Sequence, residues 1–281
     1  MSKLPNPLNQ APERLWEDFP CGQFSEECFR ALSLIDLNRE YLQSLPLPSQ
    51  DSVQAAEALA DIAVASNRLE RSLAEMMALI RCVQGSVSPQ WERVELCALL
   101  KALCAKQSQI LEAIGVALSF DCGGLDNHFV YADYGFLETI CLHLLSNALR
   151  ACGRGGHVAL TLEACGGETV LRVSDDGCGL PDETETSFQE KGARFLGGNR
   201  GGLLLCREYC RLLGWTLELN RRPGGGAEAV LRILPSARPL NMVELRSEDP
   251  WEKSQQEYRL RRLLARELRC VPGLEAVNFE S

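Results

Sequence analysis

The segment "GSVSP", Gly85 to Pro89, separates two stretches of sequence with different hydrophobic rhythms. Before it, small or apolar residues recur at Ala56, Leu59, Ala63, Ser66, Leu69, Leu73, Met76, Ile80 and Val83. Those steps of three and four belong to a long helix with a coiled-coil-like seam. Upstream, Phe29, Leu32, Ile35, Leu42 and Leu45 mark another helix over residues 25–45. The proline-rich "PLPSQD" joins the two tightly, with Ser49 or Asp51 placed to cap the second helix. Two helices this short cannot bury such a seam alone. The pattern over 25–85 therefore predicts a helical hairpin that pairs with a second copy in a four-helix bundle. A hairpin folded onto the chain's own C-terminal part is the other arrangement.

After the break the period changes. "WERVEL" and "VALSFDC" read as strands around a helix over 96–114. A helix from Asp133 to about Ala151 follows, then strands "HVALTLEA" and "ETVLRVSDD". A Gly-rich segment leads to a helix through 203–213, and "WTLELN" and "AEAVLRILP" close the series. Strands interspersed with helices at irregular intervals predict an α+β fold, with helices layered on one face of a mixed sheet. Residues 1–24 form an irregular lead-in. The tail, 236–281, holds an amphipathic helix in "EYRLRRLLARELRC", whose balanced charge favours packing or partner docking over membrane binding.

Composition narrows the functional classes. A net charge of −9 argues against a nucleic-acid surface. No apolar run has the length of a membrane span, and the first residues lack a signal-peptide core, so a cytoplasmic protein is expected. The 13 cysteines contain no CxxC pair and sit mostly among apolar neighbours, which reads as reduced, buried thiols rather than a zinc site.

Three segments carry chemistry. "RVSDDGCGLPD", 172–182, places two carboxylates at a strand end and follows them with Gly177 and Gly179. A plain hairpin needs one Asp-Gly pair; two spaced glycines also suit a backbone that something approaches closely. In "DYGFLETICLHLLSNALRA", His143, Asn147 and Arg150 stand apart from the apolar stripe on one helix face. A solvated face explains such a row, and so does a holder for a metal–phosphate group. In "FLGGNRGGLLLCREYC", glycines 197, 198, 201 and 202 run into a helix, as a flexible loop or as N–H donors for phosphate.

In their order and separations, "LHLLSNALRA", "VSDDGCGLP" and "GGNRGGLLLCREYC" resemble the N, G1 and G2 boxes of the GHKL superfamily, the Bergerat-fold ATPases of histidine kinases, gyrase and Hsp90. The flanks "VELCALLKALCAKQSQILEAIGVALSF", "YADYGFLETI" and "RRPGGGAEAVLRILP" are similar to the sensor-histidine-kinase branch. The resemblance spans residues 25–235 and implies a dimerisation hairpin at 25–85 followed by an ATP-binding α/β sandwich at 90–235. It further implies that Asp175 accepts a hydrogen bond from the adenine amino group and that Gly177 and Gly179 keep the backbone clear of the base. Asn147 would coordinate Mg²⁺, and Arg150 takes the place of a lysine near the phosphates. Lys191 or Arg194 would approach the γ-phosphate from a short lid that also holds Phe188, with Gly198, Arg200 and Gly202 in the phosphate loop.

The chain departs from that family at defined places. Its three histidines, His128, His143 and His157, all fall in the ATP-binding part, and the first hairpin helix, "CFRALSLIDLNREYLQSL", has none to accept phosphate. Arg200 replaces a glycine of the G2 box: a positive φ there would strain it, and alternatively its guanidinium would contact the phosphates directly in place of lost backbone contacts. His143 replaces the first asparagine of the N box, which gives it a nucleotide-site or structural role. Ser146 stands where gyrase- and Hsp90-type enzymes carry an acid. The expected function is an ATP-binding, histidine-kinase-like signalling protein of a two-component type that does not autophosphorylate on histidine. Its expected partners are a second copy and a response regulator or partner kinase. A GHKL kinase acting on a partner's serine and a nucleotide-free interaction module are the alternatives.

Overall fold

A computed structural model describes residues 52–235 apart from 114, 126–127, 153–154 and 181–199, together with scattered positions between 32 and 42. The lead-in, most of the first hairpin helix, the segment that holds Phe188, Lys191, Arg194 and Gly198, and the C-terminal tail lie outside the described residues.

Helix α1 runs Ser52–Val83 and ends at the predicted break. Its stop is a Schellman motif: Ser86 N–H donates to the Arg81 carbonyl at 3.1 Å, Gly85 N–H to Cys82 at 3.1 Å, and Gly85 takes φ 64°. The elements that follow are β1 (Glu92–Glu95), α2 (Leu96–Ala113), β2 (Ala117–Asp121), β3 (Phe129–Ala132) and α3 (Tyr134–Cys152). After them come β4 (His157–Cys165), β5 (Glu168–Asp175), α4 (Arg200–Leu213), β6 (Thr216–Arg221) and β7 (Ala227–Ile233). Strand β3 is the element that the sequence reading lacked.

Five strands form one mixed sheet in the order β2-β4-β5-β7-β6, in which β2–β4 is parallel and the other pairs antiparallel. The register aligns Leu162 with Leu171 and Leu171 with Leu231, so one row of side chains crosses the central strands. All three are fully buried. The apolar stripe of α3 meets them with Leu137, Ile140, Leu145 and Leu149, each 1% exposed or less. Strands β1 and β3 make a separate antiparallel ribbon, which explains why "FVYA" is a strand although it abuts a helix start. Asp133 caps α3 by accepting Phe136 N–H on Oδ1 at 3.0 Å, and its Oδ2 accepts Gln90 N–H at 2.9 Å. One carboxylate thus fixes both the helix start and the segment leaving α1.

The second half of α1 packs on α4. Leu79 and Cys82 meet Leu205, with Tyr209 and Leu212 beside them. These contacts use Leu79 and Cys82, which are absent from the predicted seam. Of that seam, Ser66, Leu73 and Ile80 are buried, whereas Leu69 and Val83 stay 44% and 48% exposed. Of the described cysteines, Cys82, Cys97, Cys141, Cys206 and Cys210 are buried and Cys178 is exposed, and burial pushes the Cys104 and Cys210 thiols up to about 11 and about 12. No described helix is long and apolar enough to cross a membrane.

Candidate nucleotide site

Three chain segments converge at the end of β5: the C-terminal turn of α3, the loop 176–180, and the β6–β7 turn. Asp175, the last residue of β5, is only 4% exposed. Its Oδ1 accepts Gly177 N–H at 3.0 Å and Ala227 N–H at 3.2 Å. Two backbone donors on one oxygen fix the carboxylate's orientation and leave Oδ2 without a hydrogen bond among the described residues. A nearly buried carboxylate with one oxygen in reserve suits a neutral donor such as an amino group.

The neighbouring acid has a different task. Asp176 Oδ1 accepts His157 N–H at 2.8 Å and lies 3.3 Å from Cys152 Sγ. The His157 amide first, and then the Cys152 thiol, hold its carboxyl below its ordinary value of 3.8. Burial pushes the Cys152 thiol up to about 12. Asp176 therefore ties the ends of α3 and β5 to the start of β4, whereas the Asp175 carboxylate binds only the Gly177 and Ala227 amides among the described residues.

The glycines pack backbone against backbone. A Cβ on Gly177 would lie 2.1 Å from the Ala151 carbonyl oxygen, at the end of α3. The same carbonyl accepts Cys178 N–H at 3.2 Å. Gly179 has φ 75°, and a Cβ there would come within 3.2 Å of the Gly226 carbonyl. Their expected duty toward a base is thus joined by one toward the protein itself. Sequence reasoning missed two contributors, Gly226 and Arg222. A Cβ on Gly226 would fall 2.0 Å from the Asp175 carbonyl oxygen, and Arg222 Nη1 donates to that oxygen at 2.7 Å. The run of three glycines in "RRPGGGAE" was the available signal.

On α3 the predicted row divides. His143 is 1% exposed and faces α1, where its Nδ1 accepts from Arg71 Nη2 at 3.3 Å. Arg71 Nε in turn donates to Glu75 Oε1 at 2.7 Å. Both α1 residues are buried, and neither stood out in the sequence. Asn147 and Arg150 are half-buried and bonded to each other: Arg150 Nη2 donates to Asn147 Oδ1 at 2.7 Å. Arg150 also reaches Ser146, with Nε on its carbonyl and Nη2 on its hydroxyl, both at 3.1 Å. The amide oxygen expected to hold Mg²⁺ is therefore covered by a guanidinium. Among the described residues no three His, Cys, Asp or Glu side chains cluster as a metal site.

Arg200 is the first residue of α4, so its backbone is right-handed helix and no glycine-like φ is demanded of it. Its side chain, like Lys191 and Gly198, lies outside the described residues. Gly202 faces inward: a Cβ there would lie 2.8 Å from His143 Nδ1 and 3.3 Å from Arg71 Nη2. Gly201 similarly faces Glu75 Oε2 at 2.5 Å. These two glycines admit side chains of α1 and α3.

Comparison with known proteins bears on the family and the fold. Residues 132–238 match the family described as histidine kinase-, DNA gyrase B-, and HSP90-like ATPase. The chain is 27% identical over 231 residues to the sensor protein DivL of Caulobacter vibrioides, covering 81% of this chain and 29% of DivL. Less than a third of that relative's length is therefore represented. In fold it resembles full-length ShkA in complex with AMPPNP, with TM-score 0.60, 19% identity, and coverage of 78% of this chain and 47% of ShkA. It also resembles histidine kinase ThkA in complex with the response regulator protein TrrA, with TM-score 0.52, 15% identity, and coverage of 76% and 60%.

Proposed function

Because the chain carries a GHKL ATPase domain of the sensor-histidine-kinase branch, we propose that it is an ATP-binding signalling protein of a two-component system that does not phosphorylate itself on histidine. The observation that carries the ATP assignment is Asp175, a buried carboxylate with Oδ1 fixed by two backbone amides and Oδ2 in reserve. Oδ2 would accept from the adenine amino group, in a site closed by Gly177, Gly179 and Gly226. Lys191, Gly198, Arg200 and Gly202 are assigned to the phosphate side from the sequence motif alone.

The lack of autophosphorylation rests on the histidines. His128 Nε2 lies 2.6 Å from Thr169 Oγ1, His157 Nε2 lies 2.9 Å from Ser119 Oγ, and His143 is buried against Arg71. Each is engaged in the fold, and residues 25–85 contain no histidine. Self-association through that hairpin is supported by Ile62, Leu69 and Val83, exposed at heptad-compatible positions along α1. A response regulator is the proposed partner, by analogy with the ThkA complex, and the cytoplasm the proposed location. Magnesium is not assigned to Asn147, because Arg150 covers its oxygen.

Calorimetric titration with a non-hydrolysable ATP analogue tests the assignment. Saturable binding is expected for the native chain. Asp175→Asn should weaken it at least about tenfold, because its amide can keep the two backbone bonds only by turning NH₂ toward the adenine amino group. Equal binding by both proteins would refute the site.

A further inference from the structure

The contact between Arg150 and Asn147 decides what the phosphate end of this site can hold. A guanidinium has five donors and no acceptor, so the atom 2.7 Å from Arg150 Nη2 must be the amide oxygen. Asn147 Nδ2 then points the other way; it is buried and makes no hydrogen bond among the described residues. Asn147 thus offers its surroundings an unsatisfied donor, while its one metal-binding atom is covered by a cation.

Magnesium needs the opposite arrangement. It takes hard oxygen ligands at about 2.1 Å, and an ion bound to this oxygen would stand within about 5 Å of the guanidinium carrying the other hydrogen bond. Arg150 is also anchored by the Ser146 carbonyl and hydroxyl, so it is held over that oxygen by more than the single contact. A lysine at 150 would be a point charge on a flexible stem without the fork that grips these acceptors together. Anionic oxygens, in contrast, match both groups: the guanidinium supplies charge and the buried NH₂ supplies a donor.

We propose that this site binds its nucleotide as a metal-free polyanion, with Arg150 in the place of the divalent cation and Asn147 Nδ2 donating to a phosphate oxygen. The inference rests on the nucleotide reading of Asp175 and concerns the other end of the ligand. It also gives the net charge of −9 a consequence: the chain as a whole repels ATP, so local cations must carry the attraction.

The test is calorimetric titration of the full chain with ATP, once in excess Mg²⁺ and once in EDTA. The native chain should bind in EDTA within about threefold of its affinity in Mg²⁺. Arg150→Ala should lose at least about tenfold in EDTA. Arg150→Lys, which keeps the charge but releases the Asn147 oxygen, should become magnesium-dependent. Native binding that weakens about tenfold or more in EDTA overturns the proposal, as does an Arg150→Ala protein with undiminished affinity in EDTA. Absence of binding in both buffers overturns the nucleotide reading as well, which separates the two failures. If Arg150→Ala does not fold, as judged by circular dichroism, the native and Arg150→Lys titrations still decide.

Discussion

The chain uses close-packed glycines at two places, and they do different work. At the end of β5, Gly177 and Gly226 let backbone approach backbone: the nearest atoms to a Cβ would be the Ala151 and Asp175 carbonyl oxygens, at 2.1 and 2.0 Å. At the start of α4, Gly201 and Gly202 let side chains in: the nearest atoms belong to Glu75 and His143, at 2.5 and 2.8 Å. A glycine in a motif therefore announces a close approach without saying of what. A carbonyl fixed by a helix end or a strand cannot retreat. The end of a glutamate side chain can, at the cost of the bonds it makes.

This contrast orders the expected effects of substitution. Gly226→Ala combines a backbone clash with φ 82°, where a side chain is strained whatever the space. We expect a loss of about 3 kcal/mol or more, a fall in Tm of about 10 °C, read by calorimetric melting. An unchanged melt would mean that the β6–β7 turn does not sit on Asp175 as described. Glu75→Ala comes next, because it leaves Arg71 in a buried position without the carboxylate 2.7 Å away. A loss of about 3 kcal/mol in the packing of α1 on α4 is expected, visible as faster amide exchange at Leu79 and Cys82. Unaltered exchange there would show that apolar contacts alone hold the two helices. Gly201→Ala should be mildest: its clash is with the far end of Glu75, and alanine favours a helix over glycine by about 1 kcal/mol. A shift in Tm below about 3 °C is the expected outcome. A loss as large as that of Gly226→Ala would erase the distinction between the two places.

The same contrast explains what was legible in the sequence. Helices α2, α3 and α4 and most strands were readable because each has its own period and its own stop signal. The glycine turn after Asp175 was readable because its carboxylate and its glycines are neighbours in the chain. Strand β3 was not, since four residues beside the Asp133 cap carry no turn signal of their own and become a strand only by pairing with β1. The Arg71–Glu75–His143 cluster was also invisible. Arg71 and Glu75 at i, i+4 look like any solvated helix pair, and their burial depends on α4 and on a histidine 72 residues from Arg71. Arg150 covering Asn147 lay in between: an i, i+3 pair on one helix can be anticipated, but the burial of the amide nitrogen depends on surroundings that the helix does not supply.

Comparing ATP with ITP tests whether Asp175 Oδ2 reads an exocyclic amino group. ITP keeps the sugar and phosphates but carries a carbonyl where adenine has its amino group, so it would set an acceptor against the carboxylate. Titrated side by side, the native chain should bind ATP at least about tenfold more tightly than ITP, and Asp175→Asn should abolish that preference. Equal affinity of the native chain for the two nucleotides would contradict that role of Asp175.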